Sequence, residues 1–68
     1  MQNLSKRLGE RIKKERIAQG ISQEGLALLT GIDRSYVGRI ERGEANITVE
    51  KLYQIASVLN CPPEELLP

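Results

Sequence analysis

Histidine is absent from this 68-residue chain, and cysteine occurs once, at Cys61. These two shortages exclude a good deal. A single thiol closes no intrachain disulfide, and no Cys/His cluster is available to hold zinc, so neither a metal nor a cofactor is expected. Without an imidazole, with Cys61 beside two prolines and with no acidic pair at a pocket, no general acid–base or nucleophile constellation remains. The chain is not expected to be an enzyme. No apolar run reaches the length of about 18 residues that spans a bilayer. The first residues, Met1 to Ser5, lack the apolar core of a signal peptide. A soluble protein of a reducing cytoplasm, with no membrane partner, is the expectation.

What is present is ordinary globular material: 40% apolar and 28% charged residues, too apolar for a disordered chain. One domain over residues 1–68 is predicted. A chain this short buries only about 60% of its unfolded surface and is marginal alone. With disulfide and metal set aside, self-association is the leading source of further stability. The net charge of +1 hides an asymmetry. Residues 1–42 carry nine Lys/Arg against five Asp/Glu, whereas residues 43–68 carry one Lys against four Glu. A basic half and an acidic half point to a polyanionic partner on one side, or to two unevenly solvated surfaces.

Gly, Pro, Asn and Ser/Thr divide the chain into about five helical segments, with no room for a strand-based core. The first runs from about Ser5 to Gln19 on a stripe of Leu4, Leu8 and Ile12, and Gly20 stops it. Ser22 caps a second helix, Gln23 to Leu29, that buries Leu26, Ala27 and Leu29. Thr30, Gly31 and Ile32 form a short connection, and Asp33 caps a third helix that reaches Glu41 and stops at Gly43. There Val37 and Ile40 point inward with Ile32, leaving Arg34, Ser35 and Arg39 outside. Thr48 caps a fourth helix whose Leu52, Ile55, Ala56 and Leu59 make a clean apolar face. Asn60 closes it. Pro62-Pro63-Glu64-Glu65 then places proline and acid at the start of a fifth, anchored by Leu66 and Leu67.

Two short helices joined by three residues with a glycine are the helix-turn-helix, in which the first helix braces the second in the major groove. Many helical domains contain such a corner, and the surface chemistry strengthens the reading here. Arg donates two bonds to guanine O6 and N7, and Ser bonds either partner, so Arg34, Ser35 and Arg39 suit base edges. Gln23 opens the second helix, where a side-chain amide and free backbone N–H groups meet a phosphate.

Residues 16–43, from Arg16-Ile-Ala-Gln-Gly-Ile-Ser-Gln-Glu through Thr30-Gly-Ile-Asp-Arg-Ser-Tyr-Val to Ile40-Glu-Arg-Gly, resemble the Cro/C1-type (XRE) helix-turn-helix family. The resemblance covers about residues 6–67. It implies an all-α, compact five-helix lambda-repressor-like domain with a helix-turn-helix. Within the family, Asp33 to Gly38, Glu41-Arg42-Gly43 and Asn46-Ile47-Thr48 look like the controller proteins of restriction–modification systems. By position, Arg16 and Glu41 match a structural ion pair between the first helix and the end of the recognition helix. Gln23 matches a phosphate contact, and Arg34, Ser35 and Arg39 match base-reading positions. Tyr36, Arg42 and Asn46 match positions on the sugar-phosphate backbone, although Tyr36 is amphipathic enough to pack on the domain as well. Gly25 and Gly38 depart from the pattern, each either a point of close approach or a weak spot in its helix.

A homodimer is expected, because two-fold pairing places two recognition helices about 34 Å apart on duplex DNA. Ile47, Tyr53, Val58, Leu66 and Leu67 exceed what so small a core holds, and the exposed remainder would be a self-association patch. The alternative is that the fifth helix folds back and buries them all. The resemblance implies a DNA-binding transcriptional regulator on operator DNA that activates at low occupancy and represses at high occupancy. The acidic second half is then the candidate contact for RNA polymerase. The alternatives are a phage-type or other small repressor, and a protein-interaction module (antitoxin or antirepressor) on the same fold.

Overall fold

Each helix of the computed structural model, which describes residues 3–68, begins at a side chain that caps it. Asn3, Ser22, Asp33 and Thr48 accept the amide hydrogens of Lys6, Gly25, Ser35 and Lys51 at 2.9–3.1 Å. Each bond satisfies one of the donors that a helix start leaves without a partner. The helices are α1 (Leu4–Ala18), α2 (Gln23–Thr30), α3 (Arg34–Glu41) and α4 (Val49–Val58). Three of them stop alike. After α1, α3 and α4 a left-handed residue (Gly20, Gly43, Asn60) reverses the chain. The next amide then returns to a carbonyl of the last turn: Ile21 to Arg16, Glu44 to Arg39 and Cys61 to Ala56, at 2.8–3.1 Å.

The fold is all-helical, with no strand among the described residues, but it has four α-helices rather than five. The expected fifth is a single 3₁₀ turn, Pro63–Glu65, whose bonds run from Glu65 to Pro62 and from Leu66 to Pro63. So short a segment cannot offset the cost of nucleating an α-helix, and short pieces take the tighter i→i+3 pattern instead.

The core is formed by Ile12, Leu26, Ala27, Ile32, Val37, Ile40, Leu52, Ile55, Ala56, Leu59 and Leu66. The apolar face expected on α4 is therefore buried in full, as are Ile32, Val37 and Ile40. Two expectations fail. Leu29 is 63% exposed and Leu4 is 60% exposed. On α2 the buried arc runs through Leu26 and Ala27, and Leu29 lies off it. On α1 each step of four residues drifts by about 40° around the helix. Leu4 is thereby turned away from the side where Gly9, Ile12 and Arg16 are buried.

Gly9 is why α1 can lie directly on α3. A methyl group at this position would fall 2.2 Å from the carbonyl oxygen of Ile40 and 2.8 Å from that of Glu41. The backbones themselves are in contact there, and no rotamer change could make room.

Candidate nucleic-acid interface

The connection between α2 and α3 is pinned by Thr30 and Gly31. The Thr30 hydroxyl donates to the Leu26 carbonyl at 2.7 Å and accepts from the Ile32 amide at 3.3 Å. Gly31 then turns the chain at φ 74°, a conformation costly for residues with a Cβ. Ile32 drops into the core and Asp33 starts α3. These few residues fix how the second helix sits on the first.

Helix α3 spans eight residues, and its burial is one-sided. Val37, Gly38, Ile40 and Glu41 are buried, whereas Arg34, Ser35 and Arg39 are exposed. The three residues expected to read bases thus share the uncovered side. Asp33 accepts both the Ser35 amide, at 3.1 Å, and the Ser35 hydroxyl. Ser35 is therefore engaged as a donor and presents an accepting oxygen.

Those bonds, the Ser35 hydroxyl first and its amide second, hold the Asp33 carboxyl below its ordinary value of 3.8. The ionised cap stabilises the fold above that ordinary value, and the contribution is lost as pH falls through the lower folded-state value. In melts taken from neutral pH to about pH 2, Asp33→Asn should lose less stability than the parent, since Asn caps as well and does not titrate. Identical acid dependence of the two proteins would remove this assignment.

The inner end of α3 is held by a buried ion pair. Arg16 Nε donates to Glu41 Oε2 at 2.7 Å, and Nη2 donates to Oε1 at 3.0 Å. The two residues are only 8% and 6% exposed, so both charges are almost wholly removed from water. Hydrogen bonding to Glu41 raises the Arg16 guanidinium further above its ordinary range. The remaining Arg16 nitrogen, Nη1, donates to the Ile21 carbonyl at 2.9 Å. Gln23 joins the same cluster, its Nε2 donating to Glu41 Oε1 at 3.0 Å. No buried side-chain polar atom among the described residues lacks a partner.

Gln23 is thus half-buried at the junction of α2 and α3, braced against Glu41 rather than standing free. Tyr36 is half-buried as well. Its hydroxyl donates to the Asn46 carbonyl at 3.3 Å, and Lys51 Nζ stands 5.9 Å from the ring centroid. Asn46 Oδ1 in turn accepts from the Ser5 hydroxyl at 2.6 Å. Arg42 is exposed beside them and forms an ion pair with Glu44. Gln23, Tyr36, Arg42 and Asn46 are therefore each tied to the domain by at least one bond.

The residues expected at a self-association surface divide three ways. Leu66 is fully buried in the core and has no surface to offer, because the 3₁₀ turn folds it back onto the helices. Tyr53 and Val58 line one shallow hollow with Leu29, and Tyr53 continues into another with Val49. Ile47 and Leu67 line a separate hollow with Leu4 and Leu8. The exposed apolar stripe thus runs along α4 with the end of α2, and Leu29 and Val49 join it without having been expected there.

No group of three His, Cys, Asp or Glu among the described residues could hold a metal ion. Burial, with the Glu15 and Glu65 carboxylates, pushes the Cys61 thiol up and away from the reactive thiolate. No described helix is long and apolar enough to cross a membrane. Gly9 and Glu44 were missed from the sequence. Gly9 carried one signal, a glycine in a helix interior three residues before a core isoleucine. Glu44 carried none.

The helix-turn-helix family profile HTH_3 matches residues 12–66. The chain is 38% identical over 60 residues to the control protein C.SmaI of Serratia marcescens, covering 88% of this chain and 71% of that one. It is 40% identical over 62 residues to the HTH-type transcriptional regulator SutR of Escherichia coli K12, covering 91% of this chain but 35% of that one. Its fold superposes on the restriction-modification controller protein C.AhdI from Aeromonas hydrophila with a TM-score of 0.88 and 44% identity, covering 91% and 94% of the two chains. The chain belongs to the helix-turn-helix family of DNA-binding transcriptional regulators.

Proposed function

We propose that this regulator is the controller protein of a restriction–modification operon, acting in the cytoplasm as a homodimer on palindromic operator sites. The observation that carries the reading is the one-sidedness of α3: Arg34, Ser35 and Arg39 face outward while Glu41, on the inner side, is clamped by Arg16. A helix that must read base edges needs a side kept free and an orientation that does not drift, and α3 has both. Arg34 and Arg39 are the guanine readers, with Ser35 between them as an acceptor. Gln23, Tyr36, Arg42 and Asn46 contact the sugar-phosphate backbone around that side and set the register. Likeness to two controller proteins supports the choice of operon.

The dimer forms through the apolar stripe of Leu29, Val49, Tyr53 and Val58. Leu29, Val49 and Tyr53 are between 59% and 71% exposed, and adjoining apolar residues left uncovered in this way mark an interaction site. Glu50, Glu64 and Glu65, the acidic residues of the second half other than Glu44, are the surface for RNA polymerase during activation.

Selection of bound duplexes from a random library at about physiological salt tests this reading. The expected result is a pseudo-palindrome whose half-sites lie about one helical turn, 34 Å, apart. On the selected duplex Arg34→Ala should lose about 1–3 kcal/mol and relax the preference at one base position, whereas Arg42→Ala should weaken every duplex alike. Undiminished binding by Arg34→Ala would overturn the base-reading assignment. Recovery of no motif at all would shift the reading to a protein-interaction module.

A further inference from the structure

The guanidinium of Arg42 lies back along α3 over Gly38, so close that a Cβ at residue 38 would stand 3.1 Å from Nη1. From its other side Glu44 takes the Nε–Nη2 edge: Nε donates to Oε2 at 3.1 Å and Nη2 to Oε1 at 3.2 Å. Both side chains are more than half exposed, at 59% and 54%, so the pair is not part of the core. Its geometry is nevertheless set. The Glu44 amide donates to the Arg39 carbonyl at 2.8 Å in the reversal that ends α3, and this anchors the carboxylate beside the arginine. Two carboxylate oxygens on a guanidinium fork reproduce the way two phosphate oxygens bind the same fork.

We propose that Glu44 is an internal stand-in for a DNA phosphate, which occupies Arg42 in the free protein and must be displaced when duplex binds. The proposal rests on α3 being the DNA-reading helix. With Nη1 laid against Gly38, the Nε–Nη2 edge is the one a phosphate takes, and it cannot hold the carboxylate and a phosphate at once, so binding carries the loss of the ion pair. The displaced carboxylate is also left near the polyanion. Exposed pairs of this kind are worth up to about fivefold in an equilibrium constant. Glu44 therefore weakens every duplex, cognate or not, by about that factor and raises the protein concentration at which sites fill. There is a second consequence for salt. When Arg42 moves to a phosphate one cation is released, but the stranded Glu44 carboxylate takes one up. Arg42 then adds little to the salt dependence in the parent protein and its full share, about 0.9 in the logarithmic slope, once Glu44 is neutral.

The test is a cycle of four proteins, the parent, Glu44→Gln, Arg42→Ala and the double variant, titrated onto the selected duplex and a scrambled one across a range of KCl. The expected result is that Glu44→Gln tightens both duplexes about fivefold and steepens the slope by about 0.9, and that both effects are much smaller in the Arg42→Ala background, where only the repulsion between carboxylate and DNA is relieved. Tightening of equal size in both backgrounds would mean that Glu44 acts only as a general negative charge. Weaker binding by Glu44→Gln would mean that it positions Arg42 instead of competing for it. Either result overturns the proposal. If the parent binds DNA and Glu44→Gln matches it, the stand-in falls alone; if the parent binds neither duplex, the DNA-reading assignment falls with it.

Discussion

Glu41→Ala should lower the stability of the fold by about 3–5 kcal/mol, because it leaves the Arg16 guanidinium buried without its counter-charge. Arg16 would keep only its bond to the Ile21 carbonyl, and the Gln23 amide would lose its acceptor as well. In a domain this small each kcal/mol moves the melting temperature by about 4–8 °C. Since whole domains are stable by only about 5–15 kcal/mol, the variant should lose a large fraction of its stability and melt well below the parent. Replacing both partners with apolar side chains, as in Arg16→Met with Glu41→Leu, removes the stranded charge, and such swaps are often neutral or stabilising. The double variant should therefore melt above either single one, though short of full recovery because Gln23 is still without its partner. Thermal melts followed by circular dichroism decide the matter. If Glu41→Ala melted within a few degrees of the parent, the pair would be solvated in solution and could not be what orients α3.

Gly9→Ala should cost about 2 kcal/mol net, the upper end of the overpacking range less the gain in helix propensity. Overpacking ordinarily costs about 1–3 kcal/mol, and here the obstacles are the carbonyl oxygens of Ile40 and Glu41, which no rotamer change can move. Alanine would return about 1 kcal/mol through its better helix propensity, so the steric loss must exceed that gain for the net effect to be destabilising. Gly38→Ala is the internal control. Its added methyl meets only the ends of the Arg42 and Gln23 side chains, which can swing aside, so its stability should stay level or rise by up to about 1 kcal/mol. Comparing the two variants by denaturant midpoint separates backbone contact from helix propensity. Equal stability of Gly9→Ala and the parent would mean that α1 does not lie on α3 as closely as described.

The starts of α2, α3 and α4 were legible because each depends on neighbours in the chain. Ser22, Asp33 and Thr48 accept amide hydrogens two or three residues further on, and Gly20, Gly43 and Asn60 reverse the chain where expected. The same locality made the two sides of α3 readable, since helical spacing alone separates Val37 and Ile40 from Arg34, Ser35 and Arg39. The Arg16–Glu41 pair came from resemblance, because 25 residues separate the partners and no local rule joins them.

Helical spacing says which residues share a side, but not which side a neighbour will cover. That is why Leu29, apolar and well placed in the pattern, is outside, whereas Leu66, beyond two prolines, is fully buried. It is also why Gln23 turned out to brace Glu41, and why Gly9 proved to be a contact between two backbones. The chain's own order of residues set the helices, their ends and the chemistry of the outward side of α3, because those follow from contacts within a turn or two. Which apolar residues close the core, which carboxylate meets which arginine, and how tightly α1 holds α3 were decided only when segments far apart in the chain came together. Those contacts depend on the shapes of two surfaces at once, and neither surface exists until the helices pack.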